Sequence, residues 1–257
     1  MDLIELDFVH LAWGLGLIAI AIGLSAIERL GLELRLLTAT LRAIAQLFAL
    51  GFVLEVVFAG NGPVEVLVVL ILILTTAALV ARNRISKKIP QMLPIVWGAL
   101  LLSTALSVGY VNLLVLRSPT WYEPRYLVPL AAIVLGQAMN GAAIAGENLV
   151  NTINASRIEI ETHLSLGATP TQAIASYRQE AIRAGMIPTL NSMAIVGIIT
   201  LPGFFTGQIL GGVSPFQAAF YQMIVLFMVA TATLIATLLV TKGICLKVFN
   251  SSDQLIT

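Results

Sequence analysis

The chain has 257 residues, of which 58% are hydrophobic and only 11% are charged. Ordinary soluble domains carry roughly 25% charged residues, so this composition excludes a soluble globule and indicates an integral membrane protein. The formal net charge of +1 gives no reason to expect nucleic-acid binding, and the single cysteine, Cys245, excludes an internal disulfide framework and a multi-cysteine metal site.

Seven apolar stretches along the chain are predicted to cross a membrane as helices. A hydrocarbon core of roughly 30 Å needs about 20 helical residues. The predicted spans cover residues 8–27, 43–59, 66–81, 89–116 and 126–150, and two more lie within 184–241. Residues 184–241 contain no charge and no histidine, and one helix of that length would reach about 87 Å, so the chain must turn back, at residues 211–215. The predicted fold class is an all-α membrane protein, a polytopic bundle of about seven transmembrane helices in a single domain over 1–257.

The basic residues fall on one side of this topology. All but Arg117 and Arg125 of the 14 Lys and Arg residues lie in the connections one-two, three-four and five-six, or in the carboxyl-terminal tail. Loops rich in Lys and Arg face the cytoplasm. We therefore predict that the amino terminus is outside and that the carboxyl terminus and the polar segment 151–183 are cytoplasmic.

Within that polar segment, residues 161–170 read E-T-H-L-S-L-G-A-T-P. Gly167 interrupts a helix, and Thr169 followed by Pro170 provides an N-cap and a proline at the first helical position, which predicts a helix-turn-helix outside the bilayer. Its spacing resembles the EAA loop of ABC-transporter permeases, which docks on a cytoplasmic ATPase. The resemblance implies a coupling role for Glu161, Leu164, Leu166, Gly167, Ala168, Thr169 and Pro170.

The fifth predicted span carries a polar stripe. At about 100° per residue, Gln137, Asn140, Glu147 and Asn148 share an arc of roughly 100°. One interpretation is a translocation path, because amide and carboxylate oxygens suit hard cations or hydroxylated solutes. The other is hydrogen bonding between helices, and for Glu147 and Asn148 it is favoured by their approach to the membrane surface. Both interpretations stay open for Gln137 and Asn140, which lie deeper.

Leu201, Pro202 and Gly203 are predicted to break the sixth span in its outer half. A broken helix can present backbone groups to a substrate cavity. It can equally be a structural kink that neighbouring helices satisfy.

The chain carries no motif of an enzyme. It contains no G-x-x-x-x-G-K-[ST] loop that could hold ATP phosphates, and no nucleophile-base pair is visible. His10, His163 and Cys245 are too widely spaced in sequence to indicate a metal site, so metal ligands stay unassigned. We expect no cofactor on this chain.

Several further motifs resemble the FetB-type permease family, whose members include bacterial iron-export permeases and plant relatives linked to aluminium tolerance. They are L-S-L-G-A-T-P-T-Q-A at 164–173, I-T-L-P-G at 199–203 and T-G-Q-I-L-G-G at 206–212. The resemblance covers nearly the whole chain. It implies a permease domain in the plasma membrane that pairs with a separate ATP-binding subunit, which holds ATP and Mg, as a homodimer of permeases that exports iron or a related metal species.

A self-sufficient secondary transporter or channel for a small solute is the alternative. Such a protein is expected to show coupling charges near the middle of the bilayer or an inverted repeat, and neither is evident.

Overall fold

The computed structural model describes residues 7–60, 62–86, 89, 91–117, 120–250 and 254–255. These residues form helices joined by short connections, with two isolated β-bridges, Val196 to Thr200 and Phe249 to Leu255. The all-α membrane fold class is confirmed. The helices group into two compact units, α1 and α2 in the first and the rest in the second, and whether the two act as one domain stays a prediction.

The first unit is a pair of apolar helices, α1 (Phe8–Ile27) and α2 (Glu33–Gly60). Asp7 caps α1 because its carboxylate accepts hydrogen bonds from the backbone N–H groups of Val9 and His10, both at 3.0 Å. At the turn between the helices, Ser25 donates to Glu33 at 2.9 Å. Nearly all of the large apolar side chains of α1 are exposed, as expected of a helix that faces lipid.

The second unit contains eight helices among the described residues. They are α3 (Pro63–Ile85), α4 (Met92–Tyr110, continued by a π-helical segment Val111–Leu116), α5 (Pro124–Ala155), α6 (Arg157–Ser165), α7 (Pro170–Ala173), α8 (Ala175–Ile195), α9 (Gly203–Leu210) and α10 (Pro215–Val248). Helix α5 is central and packs against α3, α4, α8 and α10.

Small residues allow α5 and α8 to touch along their backbones. A Cβ atom added to Gly185 of α8 would lie 2.6 Å from the backbone oxygen of Gly141 and 2.8 Å from Cβ of Ala145, both on α5. Ala138, Ala142 and Ala145 of α5 are completely buried. Close packing of small residues is how helices associate in a membrane, where the hydrophobic effect between helices is weak.

Six helices of the described chain are long and apolar enough to cross a membrane, against the seven predicted. They are Phe8–Ile27, Glu33–Phe58, Pro63–Ile85, Met92–Leu116, Pro124–Ala155 and Pro215–Val248. The predicted sixth span is divided between the end of α8 and the short α9, with residues 196–202 between them. Neither helix alone is long and apolar enough to count as a membrane span, because α8 begins with polar residues and α9 has only 8 residues.

Candidate functional site

One face of α5 is open in this chain and carries the predicted polar stripe. Gln137 and Glu147 are exposed, and Asn140 and Asn148 are half-buried. The side chain of Glu147 keeps 48% of its surface accessible. A carboxylate in contact with hydrocarbon is costly, so this face needs water or a protein partner wherever it lies within the membrane.

Arg84, in the last turn of α3, joins two members of the stripe. Its Nη1 donates to Oδ1 of Asn140 at 2.9 Å, and its Nη2 lies 3.8 Å from Oε2 of Glu147. From the sequence, Arg84 was predicted only to be one of the basic loop residues, so this role was not predicted. Arg84 and Asn140 are 56 positions apart, and the hydrophobic pattern carries no signal for such a long-range pair.

Gln137 lies at a different place from Asn140, although both belong to the stripe. It lines a cavity of about 320 Å³ between α5, α8, α9 and α10, together with Thr189, Ser192 and Gln222. Gln137 is 13 residues from the start of α5 at Pro124, which is about 20 Å along the helix and thus deep in a span. Gln222 is 7% exposed, and it was not among the site residues predicted from the sequence.

The candidate helix break lies beside this cavity. Helix α8 ends at Ile195, Leu201 and Pro202 lie in the connection, and α9 begins at Gly203. Pro202 and Gly203 both line the cavity. The interruption therefore brings the first turn of α9 to a chamber that also contains a member of the polar stripe.

Residues 161–170, the predicted coupling segment, form the predicted helix-turn-helix. Helix α6 ends at Ser165, Gly167 turns the chain with a φ of +91°, and α7 begins at Pro170. The predicted N-cap is present: the Thr169 hydroxyl accepts from the backbone N–H of Gln172 at 3.4 Å, and the Gln172 side chain accepts from the N–H of Thr169 at 2.9 Å.

The turn presents apolar surface. Leu166 is 81% exposed at the turn, whereas Leu164 and Ala168 are half-buried. Glu161 bonds Arg157 at 2.8 Å, one helical turn away, and both side chains are about half-accessible. A groove of about 740 Å³ runs along the segment and is completed by Gln254 and Leu255 of the tail. An exposed leucine on a capped turn can insert into an apolar pocket of another protein.

Comparison with known proteins gives one family over nearly the whole chain. The model of the family described as "Uncharacterised protein family (UPF0014)" matches residues 8–249. The UPF0014 membrane protein slr1647 of Synechocystis is 46% identical over 99% of this chain and 98% of its own. No solved structure matches.

Two more distant relatives have names that describe a role. The probable iron export permease protein FetB of Escherichia coli is 32% identical over 96% of this chain and 93% of its own length. The protein ALUMINUM SENSITIVE 3 of Arabidopsis thaliana is 30% identical over 96% of this chain and 89% of its own. The predicted resemblance to FetB-type permeases is confirmed.

Proposed function

We propose that this chain, which belongs to the UPF0014 family of integral membrane proteins, is the membrane-spanning subunit of an ABC exporter for iron or a related metal species. Its relationship to an iron export permease supports the cargo class. The observation that carries the coupling role is the capped turn between α6 and α7 with Leu166 at its tip.

In this proposal a separate ATP-binding subunit grips the α6–α7 turn and holds ATP and Mg. The chain itself has no phosphate-binding loop in its sequence, so the energy of hydrolysis must arrive through protein contact. The distribution of Lys and Arg residues supports a cytoplasmic position for the turn, where such a subunit would be.

The open face of α5 is the proposed path, and a second copy of the chain is the proposed partner that covers it. Arg84 and Glu147 lie on this face with 42% and 48% of their side chains accessible, which is incompatible with direct contact with lipid tails. Gly136 is also exposed there, and a Cβ added to it would meet nothing within 4 Å. Two such faces around a dimer axis would enclose polar groups between two protomers.

The coupling role is tested by co-purification of the ATPase with variants of the turn. Leu166→Glu removes the apolar anchor without changing the backbone, and we expect about 30-fold weaker affinity for the ATPase, the effect of losing an anchor worth about 2 kcal/mol, and hence less co-purified ATPase. Gly167→Val adds strain to the turn itself, because a β-branched residue disfavours positive φ.

Gly212→Val is the matched control, since Gly212 has a φ of +90° in the turn before α10. Both valine variants carry the same local strain, so only the Gly167 variant should release the ATPase. Normal ATPase binding by Leu166→Glu and Gly167→Val would refute the coupling role.

A further inference from the structure

A basic pocket lies between α7, α8 and the end of α10, and it includes no member of the polar stripe. It holds about 610 Å³ and is lined by two cationic side chains, Arg178 of α8 and Lys242 of α10. No carboxylate is among the described residues that line it. Two cations that share a pocket repel each other, so the pocket is suited to a ligand that carries negative charge.

The position of Lys242 along α10 indicates the depth of the pocket in the membrane. The part of α10 before it, residues 215–241, carries no charge and is about 40 Å long, which is enough to cross a hydrocarbon core of roughly 30 Å. Leu238 and Leu234 precede Lys242 by one turn and two turns on the same side of the helix and are 38% and 42% exposed. This side of α10 therefore passes from acyl-chain depth to headgroup depth at Lys242.

Arg178 is held at the same level by two hydrogen bonds to α10. Its Nε donates to Oγ1 of Thr241 and its Nη2 donates to the backbone oxygen of Leu238, both at 3.2 Å. Both acceptors are uncharged, and neither Arg178 nor Lys242 forms an ion pair with any part of the chain that the structure describes. A guanidinium fixed in this way can donate its remaining N–H groups to a phosphate with little further loss of side-chain entropy.

The size and the neutral lining of the pocket favour a headgroup over a bare ion. Its volume lies within the range of small-molecule sites, whereas one water molecule needs only about 30 Å³. Thr171 and Gln179 line it beside the two cations and can donate hydrogen bonds through a hydroxyl and an amide. The pocket can therefore hold a phosphate together with the polar group that the phosphate carries.

We infer that this pocket binds the headgroup of an anionic phospholipid, with Arg178 and Lys242 beside the phosphate. The acyl chains lie along the exposed leucines 234 and 238 of α10. Basic pockets between membrane helices on the cytoplasmic side bind such headgroups. The lipid also contacts Thr171 of α7, next to the turn that is proposed to bind the ATPase. The choice of the cytoplasmic leaflet follows from the predicted topology, and the binding itself does not depend on the proposed transport function.

The test measures lipid binding to the full-length chain in detergent, without any ATPase. Native mass spectrometry counts the bound lipids during titration with phosphatidylglycerol or with phosphatidylcholine of the same acyl chains. Lys242→Gln is the decisive variant because it removes an exposed cation of the pocket, and Lys242→Arg restores the charge. Lys247→Gln is the matched control: Lys247 lies five residues later on α10, donates to Oε1 of Gln91 at 2.6 Å and does not line the pocket.

We expect the natural chain to bind phosphatidylglycerol about tenfold more tightly than phosphatidylcholine. Lys242→Gln should weaken the binding of phosphatidylglycerol about fivefold, which is the effect of one basic residue at a membrane surface. Lys242→Arg and Lys247→Gln should each change it less than about twofold, because the first keeps the charge and the second lies outside the pocket. Inorganic phosphate at the concentration of the lipid should not displace it.

Equal affinity of the natural chain for the two lipids, unaltered binding by Lys242→Gln, or an equal loss in Lys247→Gln would each overturn the inference. Displacement by inorganic phosphate would overturn it as well, because the occupant would then be a free anion.

Unaltered lipid binding by Lys242→Gln combined with less co-purified ATPase would assign the pocket to the ATPase instead and overturn the lipid site. If Lys242→Gln fails to fold, Gln179→Glu decides, because Gln179 is exposed and lines the pocket. Several-fold weaker binding of phosphatidylglycerol by that variant supports the site, and unchanged binding overturns it. Because lipid binding is measured without the ATPase, its failure leaves the coupling proposal intact, and a failure of ATPase co-purification by the turn variants leaves the lipid result intact.

Discussion

The two faces of α5 show how differently one helix can use its residues. On the packed face, Ala138, Ala142 and Ala145 are fully buried and Gly141 touches the backbone of α8. On the open face, Gln137 and Glu147 remain exposed. Small residues fix the position of the helix, so the polar residues on the other side are held in place without being needed for packing.

This difference separates residues that determine the fold from residues available for transport. A membrane helix gains little from exposed amides and carboxylates, since they oppose burial in lipid. Their presence on a rigidly packed helix is best explained by a polar path or a polar interface. Substitutions on the packed face should therefore affect folding, and substitutions on the open face should affect transport.

The largest effect is expected where α5 and α8 touch. Gly185→Ala places a methyl group 2.6 Å from the backbone oxygen of Gly141 and 2.8 Å from Cβ of Ala145, so the helices must separate. Overpacking of this kind costs about 1–3 kcal/mol. A lower thermal midpoint and a smaller yield of monodisperse protein in detergent would show it.

Gly136→Ala is the control on the open face of the same helix α5. A Cβ there meets nothing within 4 Å, and alanine is the better helix former by up to about 1 kcal/mol, so stability should hold or rise. Equal loss of stability in the two alanine variants would contradict the division into a packed and an open face.

A smaller effect on stability, with a clear effect on transport, is expected for Gln137→Leu and Asn140→Leu. Hydrogen bonds between membrane helices average only about 0.6 kcal/mol, so the loss of the Arg84 bond to Asn140 at 2.9 Å should leave assembly intact. Transport or its selectivity should fall. If both variants transport normally the path assignment fails, and if both lose assembly first, the stripe serves to join helices.

A similarly small change in stability is expected for Arg84→Gln, which loses the bond to Asn140 at 2.9 Å and an ion pair with Glu147 whose two groups are accessible and 3.8 Å apart. Exposed pairs of this kind contribute about 0–1 kcal/mol. The substitution nevertheless removes the cation that pairs with the Glu147 carboxylate. The selectivity of transport between cationic and anionic cargo should therefore shift.

Arg82→Gln is the matched control for that experiment. Arg82 lies two residues earlier in α3 and donates to its neighbour Asn83 at 3.2 Å, away from the stripe. The same selectivity in both glutamine variants and the natural chain would exclude Arg84 from the path.

The sequence predicted those features that depend on local chemistry. Apolar length predicted most of the spans, and Thr169 with Pro170 predicted the start of α7, because caps and helix starts are set by neighbouring residues. The helical period also placed Gln137 and Glu147 on one side of α5. The residues that face that side belong to other helices. The helical period of α5 therefore could not predict that Arg84 of α3 contacts it.

The number of spans and the burial of Gln222 could not be predicted from the sequence for a related reason. Residues 184–195 look like the start of a span, but in the structure they finish a helix that begins at Ala175 with polar residues, and hydropathy cannot tell where a helix will stop. Nothing in the sequence pattern indicates that Gln222 is buried. Its burial beside the first turn of α9 depends on how the helices pack in the tertiary structure.

Transport into inverted membrane vesicles tests the central claim most directly. Vesicles that contain this chain together with the proposed ATP-binding subunit should take up labelled iron, supplied as the free ion or as its citrate complex, when ATP is present. Vesicles that contain either protein alone should not. Uptake by the chain alone that follows an ion gradient, or no uptake of any metal species by the complete pair, would contradict the account.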